Sequence, residues 1–376
     1  MERMSIPPRI GWEKKVEALG FGYHSLDMPY WDESACYSFS MDEINAIEKA
    51  SNELWTMCIA AVGHVIDNDL FHLFHVPAAF IPFIKDSWEN DAPSIYARFD
   101  LGYKDGQIKL YECNADTPTS LYEAAVIQWY WLHDVFPNKD QFNSIHEKLI
   151  SYWAILKPHL KKGITHFASV KDSLEDYTTT EYMRDCALQG GIDTKQLYIQ
   201  DIGWQQETQL FTDTDDMDIK NIFKLYPWEW LMHEEFGKNI LIEKNKIKWI
   251  EPAWRMLLSN KAILAILWQL YPDNPYLLPT YFDTNSLSSY AKKPLLSREG
   301  ANIELVQNAN TIATTNGEYG EEGYVYQELF TLPTNDGKSA VIGSWIVGQE
   351  SVGIGIRESD QLVTTNTSRF VPHIIL

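Results

Sequence analysis

The stretch Ser94–Asn114, SIYARFDLGYKDGQIKLYECN, decides how the chain is read. Ile95, Ala97, Phe99 and Leu101 alternate with Tyr96, Arg98 and Asp100, a period of two that predicts a strand with Arg98 and Asp100 on its polar face. Lys104-Asp105-Gly106 is a turn signal, and Ile108–Asn114 reads as the returning strand of a hairpin. Register then matters, because a slip of one residue moves every side chain to the other face. A strict two-residue turn opposes Asp100 to Tyr111 and leaves Glu112 and Asn114 on the opposite face. A three-residue loop opposes Arg98 to Glu112 and Tyr96 to Asn114. The three-residue register, or a bulge of equal effect, is predicted because it gathers the strongly polar side chains on one surface.

That surface has a chemistry. Asp100, Glu112 and the amide oxygen of Asn114 are hard oxygen ligands suited to Mg²⁺, which keeps waters and borrows its remaining ligands from phosphates. Arg98 beside them suits a phosphate group. The plainer reading is a solvated hairpin face with an exposed Arg98–Glu112 pair, worth at most ~1 kcal/mol.

Outward from the hairpin, Asn114–Thr119 is a polar turn, and Ser120-Leu121-Tyr122-Glu123 has the spacing of a capping box opening a helix that must stop near Pro137. Upstream, Ser40-Met41-Asp42-Glu43 has the same spacing and precedes Ile44, Ile47, Leu54, Cys58, Ala61 and Val65 at helical intervals. Residues 1–40 are rich in Pro, Gly and aromatics and are expected to wrap a surface. Positions 139–195 read as helix, strand (Ile164–Val170), acidic loop and helix. A helix is expected over Ser259–Leu270, followed by strands at Lys292–Leu296, Tyr324–Phe330, Ala340–Val347 and Val352–Arg357. This order, without strict βαβ alternation, predicts an α+β fold with mixed sheets rather than a Rossmann fold.

Composition narrows the function. Of the 376 residues 45% are hydrophobic and 22% charged, ordinary globular usage that excludes a disordered chain. The 52 Asp and Glu exceed the 31 Lys and Arg, giving a net charge of −21. That field repels nucleic acid and leaves solubility or a cationic small substrate as its meaning. Cys36, Cys58, Cys113 and Cys186 form no C-x-x-C pair, and no segment has the length or apolarity of a signal peptide or membrane span. A soluble cytoplasmic protein is expected. Oligomeric state is not read from the sequence.

Familiar catalytic strings are missing. Gly337-Lys338-Ser339 has Leu332 where a phosphate-binding loop needs Gly, and reads as a hairpin tip. His72 and His75 have no evident third metal ligand. Lys261 near a helix start and Lys293 on a strand are candidate phosphate contacts. Ser297–Asn302, which contains Gly300, follows Lys293 as a lid would. Gln327-Glu328-Leu329 ends an apolar strand as an adenine-binding hinge would, and Arg357 follows the apolar run Val352–Ile356.

Eight strings together resemble the glutathionylspermidine synthase family, most closely its short enterobacterial acid–amine ligase members. They are Arg98–Asp100, Glu112–Asp116, Phe223–Glu229, Glu251–Trp254, Ser259–Lys261, Lys293–Asn302, Gly355–Glu358 and Ser368–His373, in family order along nearly the whole chain. The resemblance implies an ATP-grasp fold preceded by a pre-ATP-grasp region, with approximate subregions 1–155, 156–255 and 256–376. It also implies ATP-dependent amide formation through an acyl phosphate, with Mg²⁺ as a pair of ions. Carried over, Asp100, Glu112 and Asn114 hold Mg²⁺, and Arg98 contacts the transferred phosphate. Lys261 and Lys293 contact ATP phosphates, Gln327, Glu328 and Leu329 meet adenine, Arg298 sits on the lid, and Arg357 faces the acyl group. The Ser-rich, Cys-containing turn of glutathione-accepting members is replaced here by Thr117-Pro118-Thr119-Ser120. These positions would touch the acid, so the resemblance does not carry glutathione over. No amidase domain is expected, because the synthetase-like region fills the chain.

The expected reaction joins a carboxylic acid, peptide-like in one reading, to an amine, a polyamine in one reading. Glu175, Asp176 and Glu181 are candidates to bind remaining ammonium groups; a solvated helix start is the plain alternative. Two rivals use the same fold: a nucleotide-dependent phosphotransferase without the amine step, and an ATP-binding module without turnover.

Overall fold

The computed structural model describes residues 1–25, 29–243, 246–284 and 287–376. Its architecture is mixed α and β, with several sheets. The hairpin strands Tyr96–Lys104 and Gln107–Asn114 form one edge of a five-stranded antiparallel sheet, continued by Ser339–Val347, Glu350–Ser359 and Arg369–Val371. A second antiparallel sheet runs Thr280–Tyr281, Tyr324–Glu328, Tyr290–Pro294, Glu304–Gln307 and Asn310–Thr314. A four-stranded parallel sheet orders Lys248–Ile250, Asn221–Lys224, Thr165–Ser169 and Thr194–Tyr198. The last two of these strands flank the helix Leu174–Gln189, and parallel neighbours require such a crossover.

The long helix Met41–Asp67 forms as its spacing predicts, with Ser40 and Glu43 closing a complete capping box. Its apolar stripe, Ile44, Ile47, Leu54, Cys58 and Val65, is buried against Ser339–Val347, Glu350–Ser359 and the helix Ala262–Leu270. Each such large side chain contributes on the order of 1.5–3 kcal/mol of burial, which holds this helix against the sheet that carries the hairpin.

Three expectations are corrected, and the hairpin register is met by its bulged alternative with other pairs than those expected. The turn has only two residues, since Lys104 pairs with Gln107, and a bulge at Tyr111 shifts the register. Arg98 therefore opposes Asn114, and Asp100 opposes Glu112. Residues 1–40 do more than wrap a surface. Ala35–Phe39 is wholly buried between Glu2–Ser5 and His373–Ile375, which satisfy its backbone on both sides.

The second capping box does not form. Ser120 takes a left-handed φ of 65° and turns its hydroxyl to Tyr30 and Arg357, while the Glu123 carboxylate accepts from Tyr30. The helix there starts at Leu121, carries a π-turn over Glu123–Ile127 and ends at Val135, ahead of Pro137 as predicted. The expected helix Ser259–Leu270 is broken at Asn260, which is extended. The Asn260 side chain holds the break, accepting from the Ala262 N–H at 2.9 Å and donating to the Phe74 carbonyl at 3.0 Å.

Among the described residues no helix is long and apolar enough to cross a membrane.

Candidate functional site

The bulge decides what the hairpin presents. It leaves Tyr111 and Glu112 both facing the cavities that Asp100 also lines, because a bulged strand sets two residues against one. The Tyr111 ring lies over Gly102, where a Cβ would come within 2.7 Å of it. A second glycine serves Arg98. Gly343 pairs with Asp100 on the neighbouring strand, and the Arg98 side chain passes over it, 3.2 Å from where a Cβ would sit.

Two cavities meet at Asp100, Glu112 and Gly300. One is largely apolar, with Ala291, Ile303, Leu305 and Leu329 on its walls and Lys293, Gln327 and Glu328 also lining it. The other is densely charged: Arg98, Arg298, Arg357 and Lys261 stand among Asp100, Glu112, Glu175, Glu229 and Glu299, with Asn114, Thr117 and Thr119 also lining it. Ser120 borders it through Arg357, whose Nη1 lies 3.3 Å from the Ser120 hydroxyl. The tertiary structure thus brings the candidate metal, nucleotide and acid residues, with Glu175, to this pair of cavities, whereas Asp176 and Glu181, also read as ammonium partners, line neither.

The charges are interlocked. Arg98 grips Asp100 with two bonds of 2.7 and 3.1 Å and donates to the Thr119 carbonyl at 2.8 Å. The expected Arg98–Glu112 pair is replaced by Lys261, whose Nζ is 3.2 Å from the Glu112 carboxylate and 2.6 Å from the Ser297 carbonyl. Lys293 donates to the Tyr111 carbonyl at 2.9 Å and to Gln327 at 2.7 Å. Burial pushes the Asp100 carboxyl up, opposed by the Arg98 guanidinium. Burial also acts on Glu112, but Lys261, Lys293 and Arg98 outweigh it and bring that carboxyl down to about 2. Lys293 is pulled down to about 8 by burial, against the attraction of Glu112.

Asp100 and Glu112 fit a magnesium ion in kind and placement. They face each other on one strand pair, and each carboxylate has lone pairs beyond those its cation engages. Asn114 fits only if it gives up other bonds, because its Oδ1 already accepts from the Ser259 hydroxyl and the Asp116 and Thr117 N–H groups. Among the described residues no three His, Cys, Asp or Glu side chains cluster as a metal site, so phosphate oxygens and water would have to complete the shell.

Several side chains at the site had no role assigned from the sequence. Glu229 accepts from Arg298 at 3.1 Å, and Arg298 also donates to Thr117 at 2.8 Å and faces the Trp230 ring. Lys224 and Asp116 form a fully buried pair at 2.7 Å, and the second Asp116 oxygen takes the Trp228 N–H at 2.8 Å. Ser259 accepts from the Ala115 and Asp116 N–H groups. These residues pin the turn after the hairpin, and Glu229, Lys224, Asp116 and Ser259 stand in the strings that carry the resemblance. Tyr30, which bonds Ser120 and Glu123, gave no signal at all.

The family described as glutathionylspermidine synthase preATP-grasp matches residues 3–376. A Haemophilus influenzae protein with the provisional name acid–amine ligase is 42% identical over 99% of this chain and 99% of its own. The trypanothione synthetase of Crithidia fasciculata is 30% identical over 82% of this chain, and the bifunctional glutathionylspermidine synthetase/amidase of Escherichia coli is 29% identical over 90%. The matched region is 52% of the first synthetase's length and 59% of the second's.

Proposed function

Because the chain belongs to the glutathionylspermidine synthase family, we propose that it is an ATP- and Mg²⁺-dependent ligase of ATP-grasp type that joins a carboxylic acid to an amine through an acyl phosphate. The observation that carries this reading is the meeting of an apolar cavity and a cavity holding three arginines and Lys261 at two opposed carboxylates, Asp100 and Glu112. The apolar walls suit a purine ring, with Gln327, Glu328 and Leu329 at its edge. Lys261 and Lys293 then lie toward the phosphates, where ammonium groups offset negative charge.

Asp100 and Glu112 would hold Mg²⁺, with Asn114 beside them, and the ion when bound neutralises charge on the transferring phosphoryl group. Arg98 contacts the transferred phosphoryl group, while Arg357 and the Thr117–Ser120 turn hold the acid, whose carboxylate oxygen attacks the γ-phosphorus as its bond to ADP breaks. Arg298, tied to Glu229 and Thr117, closes the Ser297–Asn302 segment over the cavity and keeps water from the acyl phosphate. The ammonium group loses one proton to solvent, the neutral amine attacks the acyl carbon, and the C–O bond to phosphate breaks, with the leaving phosphate taking the second N–H proton. Glu175 borders the cavity and is positioned to face the ammonium group. A peptide-like acid and a polyamine are the substrates this charge distribution favours.

ADP release measured across a panel of acids and amines tests the proposal, with amide product followed by mass. ADP and amide formed together support it. No turnover with any pair, combined with no ATP binding by calorimetry, overturns it; phosphorylated acid without amide would replace it with a phosphotransferase.

A further inference from the structure

A separate cavity of 360 Å³ opens among the helical stretch 121–135, the helix Ile145–Leu156 and the helix Leu174–Gln189. It shares no lining residue with the two cavities above. Its size falls within the range of about 300–1,000 Å³ usual for small-molecule sites. Aromatic rings make much of its wall: Tyr122 lies 5.3 Å from Tyr182, and Trp129 and Tyr130 stay 38% and 50% exposed beside it. Glu147 and Asp185 supply two carboxylates, and no Lys or Arg is among the lining residues. The side-chain oxygen of Asn143 is buried at this cavity without a hydrogen-bond partner, while its Nδ2 donates to the Ala125 carbonyl at 3.3 Å.

An unpaired buried acceptor costs free energy until a donor reaches it, and aromatic faces attract a cation through their quadrupole. Two carboxylates, with the His146 imidazole as the one nitrogen base and no Lys or Arg among the lining residues, give the cavity an acidic wall. A ligand that answers all three features is positively charged, carries N–H donors and has an apolar stem. We propose that this cavity binds an alkylammonium ion, independently of the ATP and acid cavities. The Asn143 oxygen takes an N–H, Asp185 and Glu147 balance the charge, and Trp129 and Tyr130 cover the stem. Tyr122 belongs to the same turn of chain as Ser120, which touches Arg357, so occupancy has a short covalent route to the acid-binding side.

The test uses the full-length protein without ATP, titrated with butane-1,4-diamine by calorimetry and by tryptophan emission. The expected result is saturable binding whose emission change is lost in Trp129→Phe. Asp185→Asn combined with Glu147→Gln, both at exposed positions, should weaken it by about tenfold or more. Glu175→Gln, in the other cavity, should leave it unchanged, which separates this site from an amine held for reaction. No saturable binding in the wild-type chain, or binding that survives the double change and disappears with Glu175→Gln, overturns the proposal.

Discussion

Asp100 stands directly opposite Glu112 across the hairpin, although the two-residue turn joining their strands would by itself set Asp100 against Tyr111. The extra residue, Tyr111, reaches on to bond the Phe330 carbonyl at 2.7 Å, so the bulge is tied to the second antiparallel sheet's end. Without it Glu112 would fall on the face away from Arg98, Lys261 and Lys293.

Glu112→Ala is therefore expected to lower turnover by roughly a hundredfold or more, because it removes a carboxylate from the phosphate-facing side rather than core volume. The melting temperature should stay within a few degrees of wild type. Steady-state ADP release and a thermal scan check this together, and near wild-type activity refutes the assignment.

Lys224 and Asp116 are both fully buried, and Lys224 also sits 4.5 Å from the Trp228 ring centre. Burial pushes the Asp116 carboxyl up and the Lys224 ammonium down, while each holds the other charged. Lys224→Met would leave Asp116 buried without its cation and should cost about 3–5 kcal/mol by urea denaturation. Adding Asp116→Asn should recover part of that loss.

Arg298→Ala should uncouple the reaction. Its bonds to Glu229 and Thr117 tie the segment 297–302 to the parallel-sheet side of the cavity, and their loss admits water to the acyl phosphate. The expected readout is a rise in the ratio of ADP released to amide formed. An unchanged ratio would show that the segment closes without this arginine.

The Glu175 carboxyl is pushed from its ordinary 4.5 to about 8, first by burial and then by Glu123, against the pull of Arg357. Between those values the folded chain keeps a proton that the unfolded chain releases, so stability falls as pH rises from about 4.5 to 8. Glu175→Gln removes that slope. Relative to wild type its melting temperature should be higher at pH 8 than at pH 5, by about 1–3 °C in the difference.

The period-two alternation around Arg98 and Asp100 was enough to place the hairpin strands, and the Ser40–Glu43 capping box placed the start of the long helix. Both are local: the hydrogen bonds and side-chain faces involved lie within a few residues of one another. The Ser120–Glu123 box failed although its spacing is the same, because Tyr30 and Arg357, distant in sequence, offer stronger partners for those two side chains. The break at Asn260 was hidden for a like reason, since Phe74 supplies the carbonyl that holds it.

By itself, then, the sequence determined the mixed α and β character, the polar hairpin, the family strings and part of the set of residues that line the two cavities. Only the tertiary structure decided the pairing of Asp100 with Glu112, the partners Lys261 and Glu229, and the buried Lys224–Asp116 anchor. Periodicity reports which face a side chain occupies, whereas the identity of its partner depends on which remote segment packing brings within about 3 Å.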